Sequence, residues 1–189
     1  MNKEELKFNL MKLNEFIYID DNNYLREKCS DESLLKNVIK NFEAKIDSQT
    51  NDHFDDMIFL YGNIGNLYRI RGDTNLAIKS LKIALELSDG NKQISNLIRL
   101  GEALRYDGQH EQALNKFDEA IELCTPSNGS NLLDFAYQHK GKCLLELGQI
   151  SLALVYFQAA MKIRLVKGDQ SLIDSTQKAI NYVVHALGQ

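Results

Sequence analysis

The clearest metal-ligand spacing in the chain is His139 and Cys143, four residues apart and so on one face of any helix that carries them. Soft-ligand metal sites need three or four donors, and no further His or Cys stands nearby in sequence. His53, His110 and His185 fall in separate segments, and Cys29, Cys124 and Cys143 include no Cys-x-x-Cys pair. Cys143 therefore reads as a small core residue, and no metal is expected. No Ser/His/Asp or Cys/His grouping supports nucleophilic catalysis. Gly62, Gly65 and Gly72 spread through a helical pattern instead of following a strand, so they do not form a phosphate loop. The run Asp20-Asp21-Asn22-Asn23 lacks the glycine and closing glutamate of a calcium loop. Asp55 and Asp56 suit a helix N-terminus, where negative charge meets the helix dipole. These residues predict a non-enzyme with no cofactor.

Composition narrows the class further. The chain has 189 residues, of which 44% are hydrophobic and 25% charged, as in an ordinary soluble domain. Its net charge is −4 with no block of like charges, which gives no reason to expect nucleic acid as a partner. No apolar run approaches a membrane span, and the N-terminus mixes charges into its apolar residues. Three cysteines without a pairing pattern fit free thiols in the cytoplasm. A single proline, Pro126, permits helices almost everywhere.

The elements that must position any site are visible as a repeat. GNLYRIRGDTNLAIKSLKIALEL begins at Gly65, GEALRYDGQHEQALNKFDEAIEL at Gly101 and GKCLLELGQISLALVYFQAAMKI at Gly141. Each copy carries a second Gly (Gly72, Gly108, Gly148), then Ala (Ala77, Ala113, Ala153), a large apolar residue (Leu81, Phe117, Phe157) and Ala again (Ala84, Ala120, Ala160). Five fixed offsets in three copies do not arise from composition. The periodicity predicts helix pairs at about 52–71 with 74–88, 93–107 with 110–124, and 131–147 with 150–167. Gly72 suits a left-handed helix end. Ahead of the repeats, Leu6, Leu10, Leu13 and Ile17 predict a helix over 3–20, stopping at the Asp/Asn run. Leu35, Val38, Ile39, Phe42 and Ile46 predict another over 31–48, capped by Ser30 or Asp31. A last helix is expected at 171–187.

The three copies resemble the tetratricopeptide repeat, a helix–turn–helix unit of 34 residues with small and large residues at fixed places. Gly65, Gly101 and Gly141 take the small place of the first helix, Tyr68, Leu104 and Leu144 the large place after it, and the paired alanines the small places of the second helix. Departures are Leu97 where the other units have Tyr61 and Tyr137, a closing proline only at Pro126, and spacings of 36 and 40 between copies. The resemblance implies an all-α, right-handed superhelical array of antiparallel helix pairs, with three units at 52–91, 93–130 and 131–167. Residues 1–50 would form an N-terminal helical hairpin or a degenerate repeat, and 171–189 a C-terminal capping helix.

The resemblance also implies a concave groove lined by the first helix of each unit. Carried onto this chain, its peptide-binding places are Asn63, Asn66, Arg69, Arg99, Arg105, Tyr106, His139 and Lys142. Phe59 and Phe135 would add apolar contact. Asparagine amides both donate and accept, so they can hold a peptide backbone, and guanidinium groups fork onto carboxylates. The expected partner is a protein or peptide segment with acidic character. The subtype that clamps a chaperone C-terminus is not expected: only Asn66 matches its five places, where Gly62, Arg99, Phe135 and His139 replace the other residues.

The leading expectation is therefore a cytoplasmic, non-catalytic adaptor. Alternatives are a peptide-sensing regulator of the Rap type, with residues 1–50 as the effector segment, and a secretion-type chaperone. Leu172, Ile173, Ala179, Ile180, Val183, Val184 and Leu187 spread apolar surface around the last helix and suggest a homodimer through it.

Overall fold

The computed structural model describes residues 1–48, 54–124 and 131–187. Asp52, His53 and Pro126 lie outside the described residues. The order is α1 (Lys3–Asn14), β1 (Ile17–Asp20), β2 (Arg26–Cys29), α2 (Glu32–Asp47), α3 (Phe54–Arg71), α4 (Thr74–Glu86), α5 (Gly90–Tyr106), α6 (His110–Leu123), α7 (Leu133–Glu146), α8 (Ile150–Lys167) and α9 (Gln170–Leu187).

The repeated residues explain the pairing of α3 with α4, α5 with α6 and α7 with α8. A Cβ added at Gly65 would lie 2.6 Å from Leu81, at Gly101 2.6 Å from Phe117, and at Gly141 2.7 Å from Phe157. Each first helix lacks a side chain where the large residue of its partner arrives. Leu81, Phe117 and Phe157 are fully buried in consequence, as are all six repeat alanines. Burying each of the large side chains contributes about 1.5–3 kcal/mol. Gly72 closes α3 at φ +98°. The next amide, Asp73 N–H, donates to Tyr68 O at 2.9 Å, satisfying a helix-end carbonyl.

Successive first helices α3, α5 and α7 lie side by side. α9 packs on α8 and touches α7, so it stands where the first helix of a fourth unit would stand. Buried Arg164 on α8 secures it, donating to Asp134 Oδ2 on α7 (2.8 Å) and to Thr176 Oγ1 on α9 (2.7 Å). Of its apolar residues Ala179 and Val183 are buried, while Val184 and Leu187 stay exposed.

The N-terminal segment differs from a plain helical hairpin. α1 and α2 are both present and pack together, with Asn2 and Glu5 forming a capping box on α1 and Asp31 accepting from Leu34 N–H at the start of α2. The helix expected to run to Asp20 ends at Asn14, however, and Ile17-Tyr18-Ile19-Asp20 is a strand. β-branched and aromatic side chains favour the extended backbone there. The Asp/Asn run is indeed a turn, but it reverses a strand: β1 pairs antiparallel with β2, Ile17 opposite Cys29 and Asp20 opposite Arg26.

We expect Gly101→Ala to destabilise the chain by about 1–3 kcal/mol, because the added methyl group overpacks against Phe117. Phe117→Leu in the same chain should recover part of that loss. Denaturant unfolding followed by circular dichroism measures both.

Candidate functional site

The β1–β2 hairpin follows α1 and packs against the first helices α3, α5 and α7. Its contacts are with residues far away in sequence. The Arg26 guanidinium forks onto Glu146 of α7, Nε to Oε1 at 2.9 Å and Nη2 to Oε2 at 2.7 Å. It also donates to the carbonyls of Arg105 (3.3 Å) and Tyr106 (3.4 Å) at the end of α5. Glu27 accepts from Arg69 Nη2 of α3 at 2.6 Å, and its N–H donates to the Tyr106 hydroxyl at 2.5 Å. Leu25, 2% exposed, packs in a cluster with Leu144, Leu145, Phe157, Ala179 and Val183. One turn thus bonds to α3, α5 and α7 and joins an apolar cluster that α8 and α9 share.

Beneath the hairpin lies a buried charge cluster. Arg69 and Arg105 are 1% and 0% exposed. Their guanidinium carbons and that of Arg26 stand 4.7, 4.9 and 4.8 Å from the Tyr106 ring centroid, three cations on one π system. Arg105 Nη1 donates to Glu146 Oε1 at 2.6 Å, and His110 Nε2 lies 2.9 Å from Glu146 Oε2. Burial alone would raise the pKa of Glu146, but the Arg26 fork and the Arg105 charge hold it below the ordinary carboxylate range. Glu102 follows the same logic. Burial opposes its charge, and Arg69 at 3.5 Å and His139 at 3.1 Å outweigh that, so its pKa falls well below normal. Burial in turn depresses the His139 pKa, with Glu102 opposing.

Lys142 is the unusual member. It is 3% exposed, and among the described residues no hydrogen bond or ion pair holds its amine. Burial pushes its pKa down to about 8, with Glu27 opposing and Arg105 reinforcing the shift. Across Arg26, Arg69, Arg105 and Lys142 against Glu27, Glu102 and Glu146, the cluster has one surplus positive charge.

A second region along the first helices is open, and the hairpin borders it through Glu27. Between α3 and α5 lies a cavity of about 440 Å³ lined by Phe59, Asn63, Ser95, Asn96 and Arg99 among others. A smaller one of about 240 Å³ continues past Arg99 towards Asn66, Phe135 and His139. Arg99 separates the two. Among the described residues it has no ion-pair or hydrogen-bond partner, and burial lowers its pKa, with Glu102 opposing and Arg69 adding to the effect. Its Nη1 would lie 3.1 Å from a Cβ at Gly62, so the missing side chain there gives the guanidinium room.

The residues expected at the groove therefore fall into two groups. Arg69, Arg105, Tyr106 and Lys142 meet at the hairpin cluster, while His139 reaches Glu102 and Asn66 accepts from Arg69 Nη2 at 2.7 Å. Asn63 and Arg99 line the open cavities, with Asn63 Nδ2 donating to Phe59 O one turn back on its own helix. His139 and Cys143 do not converge: the Cys143 thiol, its pKa raised by burial to about 12, donates to His110 O instead. Among the described residues no group of three or more His, Cys, Asp or Glu could hold a metal ion. Sequence reasoning missed Leu25, Arg26 and Glu27. The available signal was Ile-Tyr-Ile before an Asp/Asn turn, a strand pattern that the overlapping 3–4 spacing of Leu6, Leu10, Leu13 and Ile17 obscured.

Lys142→Met should stabilise the chain at pH 7 by on the order of 2–3 kcal/mol, the free energy carried by the displaced pKa. The folded pKa lies below the unfolded one, so the unfolded parent binds the extra proton and the parent gains stability as pH rises from about 8 towards 10.5. The advantage of the variant should shrink over that window. Thermal melts of both proteins at pH 7 and pH 10 check the sign.

Two family models, each described as a tetratricopeptide repeat, match residues 60–91 and 92–165, together more than half of the chain. No curated protein matches it in sequence. Similar solved structures include a Rap protein complexed with competence and sporulation factor, with a TM-score of 0.72 and 18% identity over 83% of this chain. The apo form of RapI has a TM-score of 0.66 and 16% identity over 97% of this chain. MamA has a TM-score of 0.54 and 18% identity over 82% of this chain and 89% of its own. The chain spans 46% of that Rap protein and 64% of RapI. At these identities the likeness is one of fold.

Proposed function

The chain belongs to the tetratricopeptide-repeat family, and on that premise we propose that it is a non-catalytic, cytoplasmic adaptor capturing an extended acidic segment of a protein partner on its concave face. The observation that carries this reading is Arg99. A guanidinium with no hydrogen-bond or ion-pair partner among the described residues lies between two open cavities, and its neighbours are peptide-binding chemistry: the amides of Asn63 and Asn96, the Ser95 hydroxyl and the rings of Phe59 and Phe135. A partner carboxylate would relieve the uncompensated charge, the amides would hold peptide backbone, and the rings would cover its apolar side chains. The surplus positive charge of the neighbouring cluster favours the same ligand.

A regulator of the Rap kind is a second reading, favoured by the likeness of fold to two Rap structures, which for RapI covers 97% of this chain. It requires an activity towards a response regulator that depends on α1 and α2, and a phosphorylated response regulator incubated with the full chain is its direct assay.

We expect a panel of fluorescein-labelled acidic peptides to include sequences bound by the wild type, with affinity falling as salt rises. Arg99→Glu should weaken that binding at least ten-fold, about the value of one charge-assisted hydrogen bond plus the new repulsion. Helicity should not change, because among the described residues no hydrogen bond or ion pair depends on Arg99. Fluorescence anisotropy measures the affinity, and equal binding by parent and variant overturns the reading.

A further inference from the structure

The hairpin touches the concave face in the way a bound peptide would. Leu25 is buried in an apolar cluster whose other members come from α7, α8 and α9. Arg26 finds a carboxylate in Glu146, and Glu27 finds a guanidinium in Arg69. The Tyr106 hydroxyl reads the backbone of Glu27, accepting from its N–H at 2.5 Å and lying 3.4 Å from its carbonyl. Side-chain pockets together with backbone recognition are how repeat grooves and sheet edges hold extended segments.

Local preference does not hold the hairpin in this shape. Tyr24 and Leu25 both adopt left-handed backbone, at φ +50° and +59°. Such a conformation costs about 1–2 kcal/mol for each residue other than glycine. Tyr24 is 44% exposed, so burial offsets little of its share. A two-stranded hairpin is marginal by itself. The groove contacts hold it, and losing them would release strain. The cations it covers would then line an open groove, where water or another segment could reach them.

We propose that the β1–β2 hairpin is a built-in ligand of the groove. Leu25, Arg26 and Glu27 occupy the seat of a partner segment with the same apolar–basic–acidic order, and that partner must displace the hairpin to reach Arg69, Arg105 and Tyr106. The inference rests on the adaptor reading and adds the partner's chemistry and a threshold for binding. A tethered competitor acts at a high effective concentration and lowers apparent affinity by the fraction of chains with an open seat.

The test uses the full chain and a fluorescein-labelled peptide with the sequence of residues 17–29, carrying Cys29→Ser against oxidation. The chain variant Leu25→Ala/Arg26→Gln loosens the tethered hairpin. It should bind the peptide at least ten-fold more tightly than the wild type does. A peptide carrying Leu25→Ala and Glu27→Lys should bind neither protein. Excess peptide should also remove hydrogen-exchange protection from the hairpin amides of the wild type. Because truncating Leu25 could loosen α9, Glu27→Gln provides a second chain variant that keeps the apolar anchor; its affinity for the peptide should rise about three-fold.

Equal peptide affinity for wild type and both variants, or no binding to variants of full helicity, overturns the proposal. So does a wild-type dimer held by exchanged hairpins, since the seat would then belong to a second copy. Acidic peptides that bind through Arg99 while the hairpin amides stay protected would keep the adaptor reading and remove the hairpin's role. Displacement by the 17–29 peptide with no acidic peptide bound would do the reverse.

Discussion

The concave face depends on how Arg69 is accommodated. An arginine 1% exposed on a repeat helix needs counter-charges, and it has two: Glu102 from the next unit and Glu27 from the hairpin. Burial opposes every one of these charges, and each persists only because the others stand close. Glu102 answers to Arg69 and His139, and Glu146 to Arg105 and Arg26. The hairpin thus supplies one carboxylate and one guanidinium to a cluster that the repeats alone leave incomplete. Tyr106 is the hinge of this arrangement, with its ring among three guanidinium groups and its hydroxyl on the hairpin backbone.

A repeat array is quasi-one-dimensional, since each unit contacts only its neighbours. The hairpin breaks that locality. Residues 25–27 bond or pack against helices from α3 to α9 and so connect the first unit with the cap.

The architecture was legible because close helix packing writes itself into composition. A glycine opposite a large apolar residue is a local requirement repeated three times, and Gly65, Gly101 and Gly141, facing Leu81, Phe117 and Phe157, show it without a structure. Helix ends followed from the same reading, as at Gly72 and Asp31. The hairpin was not legible for a physical reason. Ile17 satisfies both a helical stripe and a strand alternation, and the choice between them rests on what Leu25, Arg26 and Glu27 meet more than forty residues away.

The sequence by itself determined that this chain is a tetratricopeptide-repeat array, since that follows from residue types at fixed offsets. It also marked Arg69, Arg99, Arg105, Tyr106 and Lys142 as groove-side residues. Only the tertiary structure decided which of these are engaged by the chain itself. Arg69 and Tyr106 are bonded by the hairpin and Arg105 chiefly by Glu146, while Arg99 has no hydrogen-bond or ion-pair partner among the described residues. Charge and spacing look alike for all of them along the chain, and burial beside a distant carboxylate is what separates a structural arginine from one open to a partner.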